Sequence, residues 1–156
     1  MKGFVLLLEG DVKPEWIDES GHMNVMWYTY LFDRANSLLQ DKVGLHSDAV
    51  AKGSPALAAG RIYTAHRREL LQGEQWQLWS GITHIDVHGI TFSHRMVSQS
   101  QIRATCDISA NAFDLKTRRK TVLPEVVVEL GKRLLVPGLT DYFATSRGSS
   151  TQTFVR

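Results

Sequence analysis

The sequence has very little of several features that define whole classes of protein. It contains one cysteine, Cys106, among 156 residues, so no internal disulfide can form, which fits a reducing compartment. The apolar run near its start, Phe4–Leu8, is too short to span a membrane. Its formal net charge of +2 is too small to argue for nucleic-acid binding. We therefore expect a cytoplasmic protein with neither a membrane nor a nucleic acid as its partner.

Several well-known site motifs are also missing from the sequence. No Gly-x-Ser-x-Gly turn occurs, which argues against Ser-His-Asp catalysis on an α/β-hydrolase sheet. Neither a P-loop nor a dinucleotide-binding glycine pattern is present. His84, His88 and His94 lack the paired spacing of a zinc site, so no metal site is predicted.

The composition is that of an ordinary globular domain. Apolar residues make up 43% of the chain and charged residues 22%. We expect a single domain over residues 1–139. Because Ser, Thr and Gly dominate after it, residues 140–156 are predicted to form a loosely held tail.

One long helix and several strands can be predicted from hydrophobic spacing. Asn24 is a good N-cap and Gly44 a good left-handed stop, so the helically spaced apolar residues between them predict a helix of about 19 residues. The predicted strands are Gly3–Val12, Arg61–Gln72, Gln75–Val87, Ile90–Ser98 and Ile102–Asp114, and Pro124–Arg133 is predicted as a short helix. We therefore predict an α+β fold in which a curved five-stranded antiparallel sheet wraps one long central helix.

The residues just before the long helix are the main candidates for chemistry. Asp18, Gly21, His22 and Asn24 lie within the run Asp-Glu-Ser-Gly-His-Met-Asn that ends where the helix begins. A carboxylate placed there can attack a carbonyl or activate water against it. His22 either bonds the substrate or orients the loop. Gly21 permits a positive φ or the close approach of a ligand.

The start of the helix supplies a second chemical element. The amides of Val25, Met26 and Trp27 belong to its first turn, where N–H groups have no partner inside the helix. They also lie at the positive end of the helix dipole. We predict that they bind a carbonyl oxygen as negative charge grows on it.

The motif and the order of elements resemble the hotdog-fold acyl-CoA thioesterases, specifically the 4-hydroxybenzoyl-CoA thioesterase group. The shared pattern is an acid, two residues, Gly-His-apolar-Asn, and then an aromatic-rich helix. The resemblance implies that Asp18 is the nucleophile or general base acting on an acyl-CoA substrate. It also implies that no cofactor takes part, and that homodimers joined edge to edge, with active sites at their interface, often pair again into homotetramers.

The longer run Pro14 to Asn24 is similar to thioesterase-like proteins of carnitine and betaine breakdown, which implies a short-chain or betainyl-type CoA ester. Aromatic side chains would either surround the quaternary ammonium group of such an ester or simply pack in the core and at interfaces. These aromatic residues are Trp27, Tyr28, Tyr30, Trp76 and Trp79.

Two basic clusters are candidates for binding the phosphates of coenzyme A, or else form solvated faces. They are Arg67 with Arg68, and Lys116 with Arg118 and Arg119. Glu69 is either a second acid of the site or the partner of an ion pair. Two alternative functions stay open at this point: a hydratase or dehydratase on the same fold, and a module that binds acyl-CoA without turning it over.

Overall fold

The computed structural model describes residues 1–139, and the predicted tail at 140–156 lies outside the described residues. The strands are β1 (Val5–Asp11), β2 (Ala56–His66), β3 (Gln75–Asp86), β4 (Gly89–Ser98), β5 (Gln101–Asp114) and β6 (Arg119–Lys120), and the helices are α1 (Val25–Lys42), α2 (Ser47–Ala51) and α3 (Glu125–Lys132). A 3₁₀ turn over Pro14–Trp16 follows β1. None of the helices in this part of the chain has the length and apolarity needed to cross a membrane.

The sheet is antiparallel throughout and has the order β1-β3-β4-β5-β2, with β6 paired to the end of β5. This order makes β1 and β2 the edges, and β2 is the longer of the two. The strands β3, β4 and β5 lie in the middle, so their inward-facing side chains form most of the core.

The central helix α1 packs its apolar stripe against the inner face of the sheet. Tyr28, Leu31, Phe32, Ala35 and Leu39 are all buried, as helical spacing requires. The predicted cap and stop are both observed. The Asn24 side chain accepts a hydrogen bond from the Met26 amide at 2.9 Å, and Gly44 has a φ of +86°.

The position of β2 corrects the predicted Arg61–Gln72. The strand starts five residues earlier, because the small residues from Ala56 onward pair with the end of β5. It stops at His66, because the amides of Arg67 and Arg68 both donate to the carbonyl oxygen of Arg103. This interaction directs the chain away from the hydrogen-bonded pairing between β2 and β5.

The sheet also has a sixth strand that was not predicted. The Asp114 carboxylate accepts hydrogen bonds from the amides of Lys116 and Thr117, which closes a tight turn after β5. The two residues of β6 then pair back onto Phe113 and Asp114.

Candidate active site

The segment that carries the motif folds as a small closed loop at the start of α1. The Asn24 amide donates to the Trp16 carbonyl oxygen at 2.8 Å, and Ile17 and Met23 form an antiparallel bridge. The Met23 amide donates to the carbonyl oxygen of Leu70 at 2.8 Å, which ties the loop to the segment after β2. These contacts fix the loop on both sides, so the acid within it has a defined place.

The Asp18 carboxylate is hydrogen-bonded through both of its oxygens. Oδ1 accepts from the amide of Ser20 at 2.9 Å and from the Ser20 hydroxyl, and Oδ2 accepts from Asn24 Nδ2 at 3.0 Å. The Ser20 hydroxyl, then the Ser20 amide, and to a smaller extent His22 and Asn24 lower the pKa of Asp18, although desolvation opposes them. Asp18 is therefore a carboxylate at neutral pH.

Asn24 links this carboxylate to the helix. Its Oδ1 accepts from the Met26 amide at 2.9 Å, while its Nδ2 donates to Asp18. Its backbone carbonyl oxygen accepts from the amide of Trp27 at 3.0 Å. One side chain thus caps the helix and holds the acid.

This capping corrects the predicted set of oxyanion donors. The Met26 and Trp27 amides already donate to Asn24, so they are not free to bind a substrate oxygen. Of the three predicted amides, only that of Val25 lacks an acceptor within residues 1–139. Val25 also lines the cavity that contains Asp18, so its N–H is the remaining candidate donor.

A cavity of about 510 Å³ lies beside Asp18. Its walls are formed by Asp18, His22, Met23, Val25, Tyr28, His66, Arg67, Arg68 and Glu69. The fold therefore brings the acid of the motif loop together with the first basic cluster, which is far from it in the sequence. A larger cavity of about 660 Å³ includes Glu9, Asp11 and Trp79 in its lining, but none of the motif residues, so we place the site in the smaller one.

Arg103 fixes the segment after β2 that lines the cavity, and its role was not predicted from the sequence. Its carbonyl oxygen accepts from the amides of Arg67 and Arg68, and its Nη1 donates to the Glu69 carbonyl oxygen at 3.0 Å. Its Nη2 is 2.9 Å from Glu74 Oε1 in a largely buried ion pair. In the sequence, Arg103 is one polar residue of an alternating strand, and nothing there distinguishes it.

Two aromatic rings form part of the cavity wall. Tyr28 and His66 meet edge to face, with ring centroids 4.8 Å apart. Burial raises the pKa of Tyr28 and lowers the pKa of His66, so both side chains are neutral at pH 7. Glu69 has no ion-pair partner within residues 1–139, contrary to the ion pair considered for it, and it faces the cavity as a second carboxylate.

The second basic cluster is not part of this cavity. Lys116, Arg118 and Arg119 lie in and after the turn that follows β5, and the Arg118 guanidinium is 5.2 Å from the centroid of the Phe113 ring. Along β5, this turn is at the opposite end from Ala104, which pairs with His66 beside the cavity. The separation is about 30 Å at 3.3 Å per residue.

The aromatic residues considered as a cage do not converge. Trp27 stacks on Trp16 at 4.9 Å and meets Tyr30 edge-on at 5.8 Å, while Trp76 is tilted against Trp16 at 6.2 Å. Of the five residues considered, only Tyr28 lines the cavity beside Asp18. The others therefore form packing contacts around the loop or lie elsewhere.

The remaining residues singled out in the sequence are Gly21 and the histidines. Gly21 has a φ of +83° and no atom within 4 Å of where a Cβ would lie, so it serves the turn. Between residues 1 and 139, no three His, Cys, Asp or Glu side chains are grouped so that they could hold a metal ion. His94 is fully buried in the core, where Ser80 Oγ is 2.8 Å from its Nδ1.

Comparisons with known proteins agree with this architecture. Residues 12–130 match the thioesterase-like superfamily. None of the curated proteins matches the chain significantly. A hypothetical protein from Staphylococcus aureus, solved in complex with CoA, is 17% identical with a TM-score of 0.80, and the alignment covers 98% of this chain and 97% of that one.

Two further solved structures are similar over most of their length. A probable thioesterase from Escherichia coli is 17% identical with a TM-score of 0.69, covering 85% of this chain and 99% of its own. A 1,4-dihydroxy-2-naphthoyl-CoA thioesterase from Synechocystis is 16% identical with a TM-score of 0.66, covering 76% and 89% respectively. The family match and the shared fold confirm the predicted α+β hotdog architecture and the resemblance to hotdog thioesterases.

Proposed function

Because the chain belongs to the thioesterase-like superfamily, we propose that it hydrolyses an acyl-CoA thioester to a carboxylate and free coenzyme A, with Asp18 as the attacking or activating group. The observation that carries this proposal is the Asp18 carboxylate itself. Asn24 ties it to the start of α1, and it lines the same cavity as the Val25 amide and Arg67. The acid can attack or activate water, the amide can bind the growing oxyanion, and the cation can bind the phosphates of coenzyme A.

The reaction follows from these positions. Asp18 either attacks the thioester carbon directly, which expels the CoA thiolate and leaves an anhydride for water to open, or removes a proton from an attacking water. In both routes negative charge grows on the carbonyl oxygen, and the Val25 amide would donate to it at the positive end of α1. Arg67 and Arg68, which line the same cavity, would bind phosphates of coenzyme A.

We further propose that the acyl group is small, of a short-chain or betainyl type. The support is the cavity of about 510 Å³ and the groups that line it. The Tyr28 ring and the unpaired Glu69 carboxylate suit a quaternary ammonium group, which an aromatic face attracts by about 0.5–2 kcal/mol. Met23 and Val25 suit a short alkyl chain equally well, so a test of substrate range must include both types of ester.

We also propose that two copies of the chain form a homodimer through their β2 edges, and that two such dimers pair into a homotetramer. In its support, β2 is an open edge of the sheet, and Ile62 on it is 62% exposed. Antiparallel pairing of two β2 edges would bring the His66 end of one next to the Ala56 end of the other. The partner's Lys116 turn would then approach this cavity, which gives the second basic cluster a place in CoA binding.

The proposed reaction needs no metal or redox cofactor, because a carboxylate or water can attack a thioester unaided. We also retain the predicted cytoplasmic location. Its support is the single cysteine, Cys106, which is buried in the core and whose pKa burial raises, as expected for an inert thiol.

The test is turnover of an acyl-CoA panel with a thiol-reactive reporter, using acetyl, butyryl, benzoyl and betainyl esters. Asp18→Asn should reduce kcat/KM by roughly 100-fold to 10,000-fold without unfolding the protein. Asp48→Asn is the matched control, because Asp48 is an exposed carboxylate in the first turn of α2. Tight binding without thiol release would indicate a binding module instead, and hydration of an enoyl-CoA would indicate a hydratase.

A further inference from the structure

The Ser20 hydroxyl lies between two side chains of the motif. Its oxygen contacts Asp18 Oδ1 and is also 3.4 Å from Nδ1 of His22. The Ser20 amide donates to the same Asp18 oxygen at 2.9 Å. The Ser20 side chain thus contacts both the acid and the histidine of the loop.

The direction of these hydrogen bonds follows from the charge of Asp18. An ionised carboxylate only accepts, so the single hydroxyl hydrogen of Ser20 must point to Asp18. The hydroxyl can then only accept from His22. Its contact with Nδ1 is a hydrogen bond only when Nδ1 carries the proton, which leaves Nε2 unprotonated in the neutral ring.

We propose that Ser20 is a positioning residue that holds the Asp18 carboxylate in one orientation and selects the Nδ1-protonated tautomer of His22. The ring of His22 lines the cavity, so its free Nε2 is an acceptor for a water or a substrate hydroxyl there. This inference rests on the proposed function for its catalytic consequence. The tautomer and the carboxylate orientation are properties of the protein alone.

Other titratable groups line the same cavity. Arg67, Arg68 and Glu69 are among its lining residues together with Asp18 and His22. His66, at the end of β2, lines it as well. Because a Ser20 substitution leaves all four in place, a change in Asp18 titration in such a variant reports on Ser20 itself.

The first experiment reads the tautomer by ¹⁵N NMR of the His22 ring at about pH 8.5, where imidazole is ordinarily neutral. In the wild-type protein, Nδ1 should be the protonated nitrogen. In Ser20→Ala the protonated nitrogen should change to Nε2, and Ser20→Thr should restore Nδ1. Ser37→Ala is the matched control, because the Ser37 hydroxyl donates only to the backbone oxygen of Asp33 within α1.

The second experiment follows the Asp18 carboxyl by ¹³C NMR and kcat/KM against pH. In Ser20→Ala both titrations should shift to higher pH, because the hydroxyl bond that favours the charged form is lost while the amide bond remains. The plateau of kcat/KM should fall by roughly tenfold to a hundredfold, and Ser20→Thr should recover most of it.

The two experiments separate this inference from the proposed function. Absence of thiol release by the wild-type protein would reject thioester hydrolysis and leave the NMR readouts valid. An unchanged His22 tautomer, or an unchanged Asp18 titration, in a folded Ser20→Ala protein would overturn the role given to Ser20, whatever the activity.

Discussion

Replacing Asn24 by aspartate would keep the helix cap and remove the hydrogen bond that Asn24 donates to Asp18. The two functions of Asn24 belong to different atoms: Oδ1 accepts from the Met26 amide at 2.9 Å, and Nδ2 donates to Asp18 Oδ2 at 3.0 Å. Aspartate retains the acceptor and is itself among the best N-cap residues. It places a second negative charge against Asp18 instead of a donor, so the pKa of Asp18 should rise.

The alanine variant supplies the magnitude for the cap. Asn24→Ala removes both atoms and should cost about 1 kcal/mol of folding free energy. For a domain of this size, that corresponds to a fall in Tm of about 2–4 °C. Asn24→Asp should unfold at a temperature closer to that of the wild-type protein, yet its kcat/KM at neutral pH should be lower by about tenfold or more.

The assay is kcat/KM measured against pH, together with thermal unfolding of the same preparations. The acidic limb of the profile should move to higher pH in Asn24→Asp. His46→Ala is the matched control, since His46 caps α2 through its Nδ1 and lies outside the cavity, so this change should affect only stability. A wild-type pH profile and rate for Asn24→Asp would refute the link between the cap and the acid.

Three other outcomes are expected. Ile62→Lys places a charge on the proposed β2 interface, so it should convert a dimer to a monomer in analytical ultracentrifugation and weaken turnover. A wild-type protein that is already monomeric would contradict this interface. Ser100→Gly should raise the free energy of unfolding by about 0.5–1 kcal/mol in urea titrations, since Ser100 has a φ of +61°, whereas Ser37→Gly inside α1 should lower it. Burial, with a smaller effect from Arg95, lowers the pKa of His94 to about 3, so the folded state binds fewer protons than the unfolded state between about pH 6.5 and 3. Stability should therefore fall with decreasing pH across that window by up to about 1.4 kcal/mol per unit. His94→Gln should remove this slope above about pH 5, where carboxyl groups are ionised in both states, and His88→Gln, on an exposed turn, should leave it.

Local features of the chain were predictable because they depend on nearest neighbours. The cap at Asn24, the stop at Gly44 and the apolar stripe of α1 follow from backbone geometry and helical spacing. The predicted β3, β4 and β5 agree with the observed strands to within a residue or two, because their alternation is clear and turns separate them. The start of β2 was wrong, because Ala56–Gly60 carries no strand signal of its own and becomes a strand only by pairing with β5.

The candidate site likewise has features that could be predicted from local sequence and features that could not. The sequence identified Asp18 and Asn24 together, because a motif of seven residues before a helix keeps both near its first turn. It could not identify Ser20 as their neighbour, because serine is common in turns whether or not it contacts a functional residue. Nor could it separate the amides of Met26 and Trp27, which Asn24 occupies, from that of Val25.

The sequence by itself determined that an acid precedes the positive end of a long helix, because capping and helical periodicity are local and act over a few residues. Only the tertiary structure decided what faces that acid. The pairing of β2 with β5, and the hydrogen bonds of Arg103 to the segment after β2, bring Arg67 and Glu69 into the lining of the cavity that contains Asp18. They are about fifty residues away along the chain, and no local interaction relates residues so far apart.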